Sequence, residues 1–398
     1  MAQEQFRLHG DFRLIDVGRP GENTALLARL ARLIAAGQSF AISTASALRI
    51  DALPVPPDQA PQLSCQTSGS SGRPKRILRS QASWISSFEV NRQAFALTGT
   101  DRHAILGSLA SSLASYAAVE AMHLGTGLID LCGASPAQQL RHLSETGTSL
   151  LYCSPAQLRL LIAAARATGA PPLPALRHLI CGGGKLDAAS LQAASALVPN
   201  AGIREFYGTA ETSFVTIADR DTPPDSVGRA YPGVQIEIRD ADGRMTDGTG
   251  EIWVRSPYLF LCYAEGRSDD TRWSGGFLTA GELGRIDARG HLYLMGRRSR
   301  MVTVADHNVF PEAIETHLLS LPGIRQCAVL ALPDPMRGHA LIAVVEGTGD
   351  AASIRQSCRD RLGAASAPRR VVFLDRLPML SAGKPDLVAL RAQFAASA

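Results

Sequence analysis

The chain has 398 residues, 45% of them hydrophobic and 19% charged, which gives room for two or three domains and is too apolar for a disordered polymer. Its net charge of +4 comes from scattered arginines, densest at Arg297, Arg298 and Arg300 and at Arg369 with Arg370, too weak a pattern for a nucleic-acid footprint. Seven cysteines without a C-x-x-C pair, and no signal peptide at the start, argue against a zinc or redox motif and for a reduced cytoplasm.

In chain order, Thr24 to Ala36 has helical spacing, with Leu26, Leu27, Leu30 and Leu33 on one face. After a proline-rich connection comes a Gly/Ser loop at 67–72. A strand at Arg76–Arg79 and a helix over 81–96 follow. Ala104–Leu109 and Gly127–Leu131 read as strands around a helix. Glu120 and His123 interrupt the weakly polar stretch from Ala104 to Cys132, so it is not a membrane span. Helices at Pro136–Thr146, Pro155–Ala167 and Leu186–Ala196 alternate with strands at Ser149–Cys153, Leu176–Cys181 and Ile203–Tyr207. Such alternation predicts an α/β layered fold. From about 213 the pattern changes to short antiparallel strands: Val234–Arg239, Gly250–Val254 and His291–Leu294. A smaller α+β unit follows, with helices at Pro311–Leu319 and Ala351–Leu362 and strands at Ile324–Leu332, Ala340–Glu346 and Arg370–Leu374. The expected division is a large domain over 1–295 and a small one over 296–398.

Only three of the 40 basic residues are lysines: Lys75, Lys185 and Lys384. Base composition accounts for that ratio, but each survivor invites a question about its place. Lys75 ends the stretch Thr67, Ser68, Gly69, Ser70, Ser71, Gly72, Arg73, Pro74. Its hydroxyls and backbone N–H groups can surround phosphate oxygens. The Walker pattern, Gly-Lys-Ser/Thr before a helix, is missing, and alone such a stretch is more often a linker. Phe206 to Thr212 sets an aromatic residue, Tyr207, and Gly208 and Thr209 at a strand end. Glu211 follows as a hard oxygen ligand suited to Mg²⁺. Glu282 lies in the turn Thr279-Ala280-Gly281-Glu282, where a carboxylate can bind a diol or simply face water. Gly296-Arg297 marks the change of texture, and Leu377 to Lys384 ends in a Gly-Lys loop.

In this order and spacing, the five motifs resemble the adenylate-forming superfamily of acyl- and aryl-CoA synthetases, luciferases and peptide-synthetase adenylation domains. The loop at 67–75 is similar to T-S-G-S-T-G-x-P-K. Tyr207–Glu211 is similar to Y-G-x-T-E, Ala280–Glu282 to T-G-D, and Leu377–Lys384 to L-P-x-x-x-x-G-K. Gly296–Glu315 resembles the hinge motif, and Cys181–Gly184, Val227–Arg229 and Gly250–Trp253 give further matches. The resemblance covers about residues 60–395.

It implies an α/β enzyme with a mobile carboxy-terminal lid. Such an enzyme joins a carboxylic acid to MgATP as acyl-AMP, then passes the acyl group to a thiol, CoA or a carrier-protein phosphopantetheine. By the same resemblance, Thr67–Gly72 with Lys75 would hold the phosphates. Gly182, Gly183 and Gly184 would edge the adenine, and Tyr207 would stack on it. Glu211 would carry Mg²⁺, Glu282 with Arg297 would bind ribose, and Lys384 would bridge the carboxylate and the α-phosphate. Ser112, Tyr116 and Gly183 are the candidate walls of the acid pocket, with an aromatic or medium-chain acid as the expected substrate. No nucleic-acid or membrane partner is expected.

The departures are specific. Only 66 residues precede the phosphate loop, so part of the usual wall would be absent or come from a partner subunit, as in a homodimer. Glu282 is one methylene longer than the usual Asp. Ala210 removes a hydroxyl. Asp306 stands where a glycine lets pantetheine pass, which keeps open a carrier protein or an amine as acceptor. A catalytically degenerate nucleotide-binding protein is the other alternative.

Overall fold

The computed structural model describes residues 4–18, 21–44, 47–66, 75–379 and 385–395. Thr67–Gly72 and Lys384 lie outside the described residues.

The α/β expectation is met by an eight-stranded sheet. Its strands run in the order 13–15, 127–130, 102–105, 150–153, 178–182, 202–207, 216–218 and 229–230. Neighbours are parallel as far as 202–207, and the last two pairings are antiparallel. The central strands 127–130 and 150–153 are buried along their whole length because both faces of the sheet are covered there. Ile105, Leu150 and Tyr152 face one core, and Ala104, Leu151 and Cys153 face the other.

The helices start where the sequence caps them. Ser135 with Gln138, and Ser154 with Gln157, form complete capping boxes, each followed by proline at the first helical position. Each such cap is worth about 1 kcal/mol. The helices Ser112–Leu124 and Pro155–Thr168 end on left-handed Gly125 and Gly169.

Two further sheets complete the larger part. One is antiparallel, with strands 272–274, 277–279, 250–255, 282–286 and 292–297 in order and 235–239 paired to 250–255. The other runs 262–265, 76–80, 62–66, 40–43 and 49–52. Pairing between 262–265 and 76–80 joins segments almost two hundred residues apart. The helix expected over 24–36 forms at Thr24–Ala35, but the flanking strands at 13–15, 40–43 and 49–52 carry too few residues to show a period.

The carboxy-terminal part has its own three-stranded sheet of 324–334, 338–347 and 370–374. Alternation along Ile324–Asp334 sends Cys327 and Val329 to one core, with Ile314 and Ile354. It sends Ala328 and Leu330 to a second core, with Leu377 and Leu390. No helix among the described residues is long and apolar enough to cross a membrane.

A polar network crosses the larger core. The carboxylate of Glu120, fully buried, accepts from Tyr152 Oη at 2.7 Å and Asn91 Nδ2 at 2.8 Å, and His103 Nε2 lies 3.2 Å away. Tyr231 Oη donates to Asn91 Oδ1 at 2.6 Å. Buried polar groups are tolerated only when paired, and here they are.

Candidate active site

Open α/β sheets bind ligands beyond the carboxyl ends of their strands. Two adjacent strands end at such an edge: His178–Gly182 and Gly202–Tyr207, with Phe206 opposite Gly182. A side chain at Gly182 would overlap the Phe206 ring, which requires glycine there. Gly183 and Gly184 follow, both exposed. Gly208 is required for a different reason, because a Cβ would overlap the Ser213 carbonyl oxygen, where the chain folds back on itself. The same turn is closed by Thr209, whose Oγ1 lies 3.1 Å from Thr212 Oγ1.

The residues expected at adenine and ribose come together. Tyr207 donates its hydroxyl to Glu282. Glu282 faces Arg297 across the antiparallel pair 282–286/292–297, and Arg297 Nε lies 3.5 Å from Glu282 Oε1. Burial, and then the Glu282 carboxylate, push the Tyr207 phenol well above the ordinary tyrosine range. Burial works against the Arg297 charge, but Glu282, Glu211 and Tyr207 outweigh it and hold the guanidinium protonated.

Glu211 is half-buried beside this group. Its backbone carbonyl accepts from Phe260 N at 2.8 Å, and its Oε1 accepts from Tyr263 Oη at 2.6 Å. Lys75 Nζ lies 5.7 Å from the centroid of the same Tyr263 ring. Tyr263 therefore links the end of the 67–75 stretch to Glu211. No local signal in the sequence marks it; only the pairing of 262–265 with 76–80 brings it there. Oε2 of Glu211 accepts no hydrogen bond among the described residues, so one hard oxygen is available to a cation. Those residues contain no group of three or more His, Cys, Asp or Glu side chains placed to hold a metal ion by themselves. A single carboxylate fits Mg²⁺ that keeps its water and takes the rest of its ligands from phosphates, not a cation caged by protein.

Lys185 has a partner set that the sequence did not suggest. Nζ donates to the Ser226 carbonyl at 2.6 Å and pairs with Glu205 Oε1 at 3.3 Å. It ties the glycine run to the strand bearing Tyr207 and to the Ser226–Arg229 segment.

The acid-pocket candidates divide. Ser112 is half-buried at the start of its helix, near Cys65. Tyr116 is 5% exposed, and its hydroxyl contacts Ser87 Oγ at 2.8 Å and Asn91 Nδ2 at 3.1 Å within the polar network. It lies one helical turn beyond Ser112 on the same face of the helix, deeper in the core, among Trp84, Phe88 and Phe214.

At the hinge motif, Arg298 reaches back to Glu251 at 3.7 Å and Asp270 at 3.8 Å. Arg300 makes a two-pronged contact forward to Glu315, at 2.8 and 3.0 Å. Ser299 lies between these opposed anchors. Ala305 and Asp306 form the two-residue turn between 302–304 and 307–309, with φ of 47° and 64°. That left-handed geometry is the one glycine or asparagine adopts most easily.

An acid, a phenol and a guanidinium paired at the carboxyl edge of a largely parallel sheet fit an α/β enzyme of the AMP-forming ligase class. The chain belongs to the AMP-binding enzyme family: its model matches residues 28–264, and the model of the AMP-binding enzyme C-terminal domain matches 313–384. The chain is 36% identical over 339 residues to the uncharacterized acyl-CoA ligase YhfT of Bacillus subtilis (strain 168), covering 84% of this chain and 69% of that one. It is 30% identical over 362 residues to the indoleacetate-CoA ligase of Aromatoleum aromaticum, covering 84% and 68%. Among solved structures, the amide bond synthetase McbA of Marinactinospora thermotolerans superposes with a TM-score of 0.72 at 26% identity, over 86% of this chain and 72% of that one.

Proposed function

We propose that this protein activates a carboxylic acid, aromatic or medium-chain, with ATP as acyl-AMP, and passes the acyl group to a thiol, CoA in the first instance. The observation that carries this reading is the convergence of Tyr207, Glu282 and Arg297 at the sheet edge, with Glu211 and Lys75 brought beside them by Tyr263. On this reading Gly182–Gly184 and Tyr207 to Thr209 hold the adenosine, Glu282 and Arg297 the ribose, and Thr67–Gly72 with Lys75 the phosphates. Glu211 would hold Mg²⁺, which supplies charge neutralisation on the phosphates when bound.

The carboxylate attacks the α-phosphorus, the new C–O–P bond forms, and pyrophosphate leaves with the electrons of the broken P–O bond. Lys384 brings its point charge to the carboxylate and α-phosphate as negative charge redistributes. Residues 1–295 and 296–398 act as the two modules. The opposed anchors of Arg298 and Arg300 make Ser299 the pivot that carries Lys384 away before thiol attack.

Asp306 favours a second reading of the acceptor, in which a carrier-protein phosphopantetheine or an amine replaces CoA. The likeness to an amide bond synthetase agrees with it. The test is ATP/pyrophosphate exchange over aryl, fatty and amino acids, then mass analysis of the product with CoA, a pantetheinylated carrier protein or an amine supplied. Acid-dependent exchange supports the reading. A folded protein that exchanges with no acid refutes it and leaves a nucleotide-binding role.

A further inference from the structure

Arg79 is the largest of the completely buried side chains, at 1% exposure. It projects from the strand Arg76–Ser80, and its guanidinium lies 5.6 Å from the centroid of the Trp84 ring. Nη1 donates to the Tyr258 carbonyl at 3.2 Å and to Ser83 Oγ at 3.4 Å, and Nη2 donates to the Ala210 carbonyl. Among the described residues Nε has no acceptor and no carboxylate forms an ion pair with this cation. Burial lowers its pKa, opposed in part by Cys65 and Glu211.

A buried guanidinium without a counter-ion is destabilising, and an apolar side chain of similar length would fill the space without that cost. What an apolar chain could not do is hold two carbonyls at once. Those carbonyls belong to the two segments that present Glu211. Ala210 immediately precedes it. Tyr258 opens the stretch whose Phe260 N–H and Tyr263 hydroxyl bind the Glu211 carbonyl and carboxylate. The planar fork of arginine fixes the distance between two acceptors in a way that a single ammonium cannot.

We propose that Arg79 is a positioning residue for Glu211: its buried guanidinium locks the Ala210 carbonyl to the Tyr258 carbonyl and so sets where Glu211 offers its unpartnered oxygen to a nucleotide-bound divalent cation. The proposal rests on the nucleotide reading of the site, and its test is built on binding so that the two can fail separately. Calorimetry of the full chain would compare ATP with Mn²⁺, as a stand-in for Mg²⁺, against ATP in EDTA, for wild type, Arg79→Met and Arg79→Lys, with a thermal melt of each.

The expected result is an Arg79→Met protein that still folds. It should bind Mn²⁺·ATP at least tenfold more weakly, while metal-free ATP changes less than threefold. Arg79→Lys should recover part of the metal-dependent loss, because one carbonyl is still held. If Arg79→Met does not fold, the ratio for Arg79→Lys decides alone. An unchanged ratio in the folded variants overturns the role of Arg79 and leaves the nucleotide site standing. A parallel loss of both affinities with melting temperature reduces Arg79 to packing. A wild type that binds neither form of ATP overturns the site reading and this proposal with it.

Discussion

Lys185→Met gives a quantitative check on the clamp behind the glycine run. The substitution keeps the aliphatic length and removes the ammonium, leaving Glu205 buried with, among the described residues, only the Leu186 N–H at 3.0 Å donating to its carboxylate. Two unit charges 3.3 Å apart interact with about 5 kcal/mol at an effective dielectric of 20. A quarter of the Lys185 side chain is exposed, so solvent screening and relaxation reduce that figure. Adding the lost bond to Ser226, the expected cost is about 2–4 kcal/mol at pH 7.5, or roughly 2–5 °C in melting temperature for a chain of this length.

The sign with pH is fixed by Glu205. Burial raises its pKa in the folded protein, and Lys185 opposes the rise. A carboxyl with a raised folded pKa favours the folded state when protonated, and that advantage is lost as pH rises through the folded value. Removing Lys185 raises the folded pKa further. The deficit of Lys185→Met against wild type should therefore be full near neutral pH and shrink as pH falls towards 5. Urea denaturation at both pH values, for the single variants and for Lys185→Met with Glu205→Gln, gives the coupling energy. A coupling below about 0.5 kcal/mol, or a deficit flat with pH, refutes the clamp.

Lys384→Ala should abolish acid-dependent pyrophosphate exchange while transfer from preformed acyl-AMP survives, and Lys384→Arg should not rescue it, because a planar fork replaces a point charge. Equal loss of both half-reactions with the fold intact would contradict the hinged-lysine role. Asn91→Ala removes the group that joins Glu120 to Tyr231, and should destabilise by about 3–5 kcal/mol in urea titration. Asp306→Gly relieves a left-handed turn at a stability change under about 1 kcal/mol. If the Asp306 side chain obstructs pantetheine, the KM for CoA falls several-fold in a product assay; an unchanged KM removes Asp306 from the acceptor question.

The regular elements were legible because each carries its own signal. Pro311–Leu319 and Ala351–Leu362 form over the residues that the periodicity marks. The helices at Pro136 and Pro155 begin where Ser-Pro and a following Gln place their caps. The short strands at 13–15, 40–43 and 262–265 were not legible, since strands this short gain their stability from partners far along the chain.

The site shows the same division. Tyr207, Glu211, Glu282 and Arg297 stand in motifs whose order alone singles them out. Tyr263, Arg79 and the partners of Lys185 stand in no motif. Their roles arise from contacts across 52, 131 and 41 positions, which no local pattern encodes. Tyr116 marks the boundary between the two kinds of knowledge. Its residue type suits a pocket wall, and it shares a helix face with Ser112, but only the fold shows that its hydroxyl meets Ser87 and Asn91 in the core. The sequence by itself determined the family, the layered α/β class and the residue types that chemistry would need. The tertiary structure decided which carbonyl, phenol or carboxylate each of them faces, because hydrogen bonds and ion pairs act over a few ångströms and only folding brings distant segments within that range.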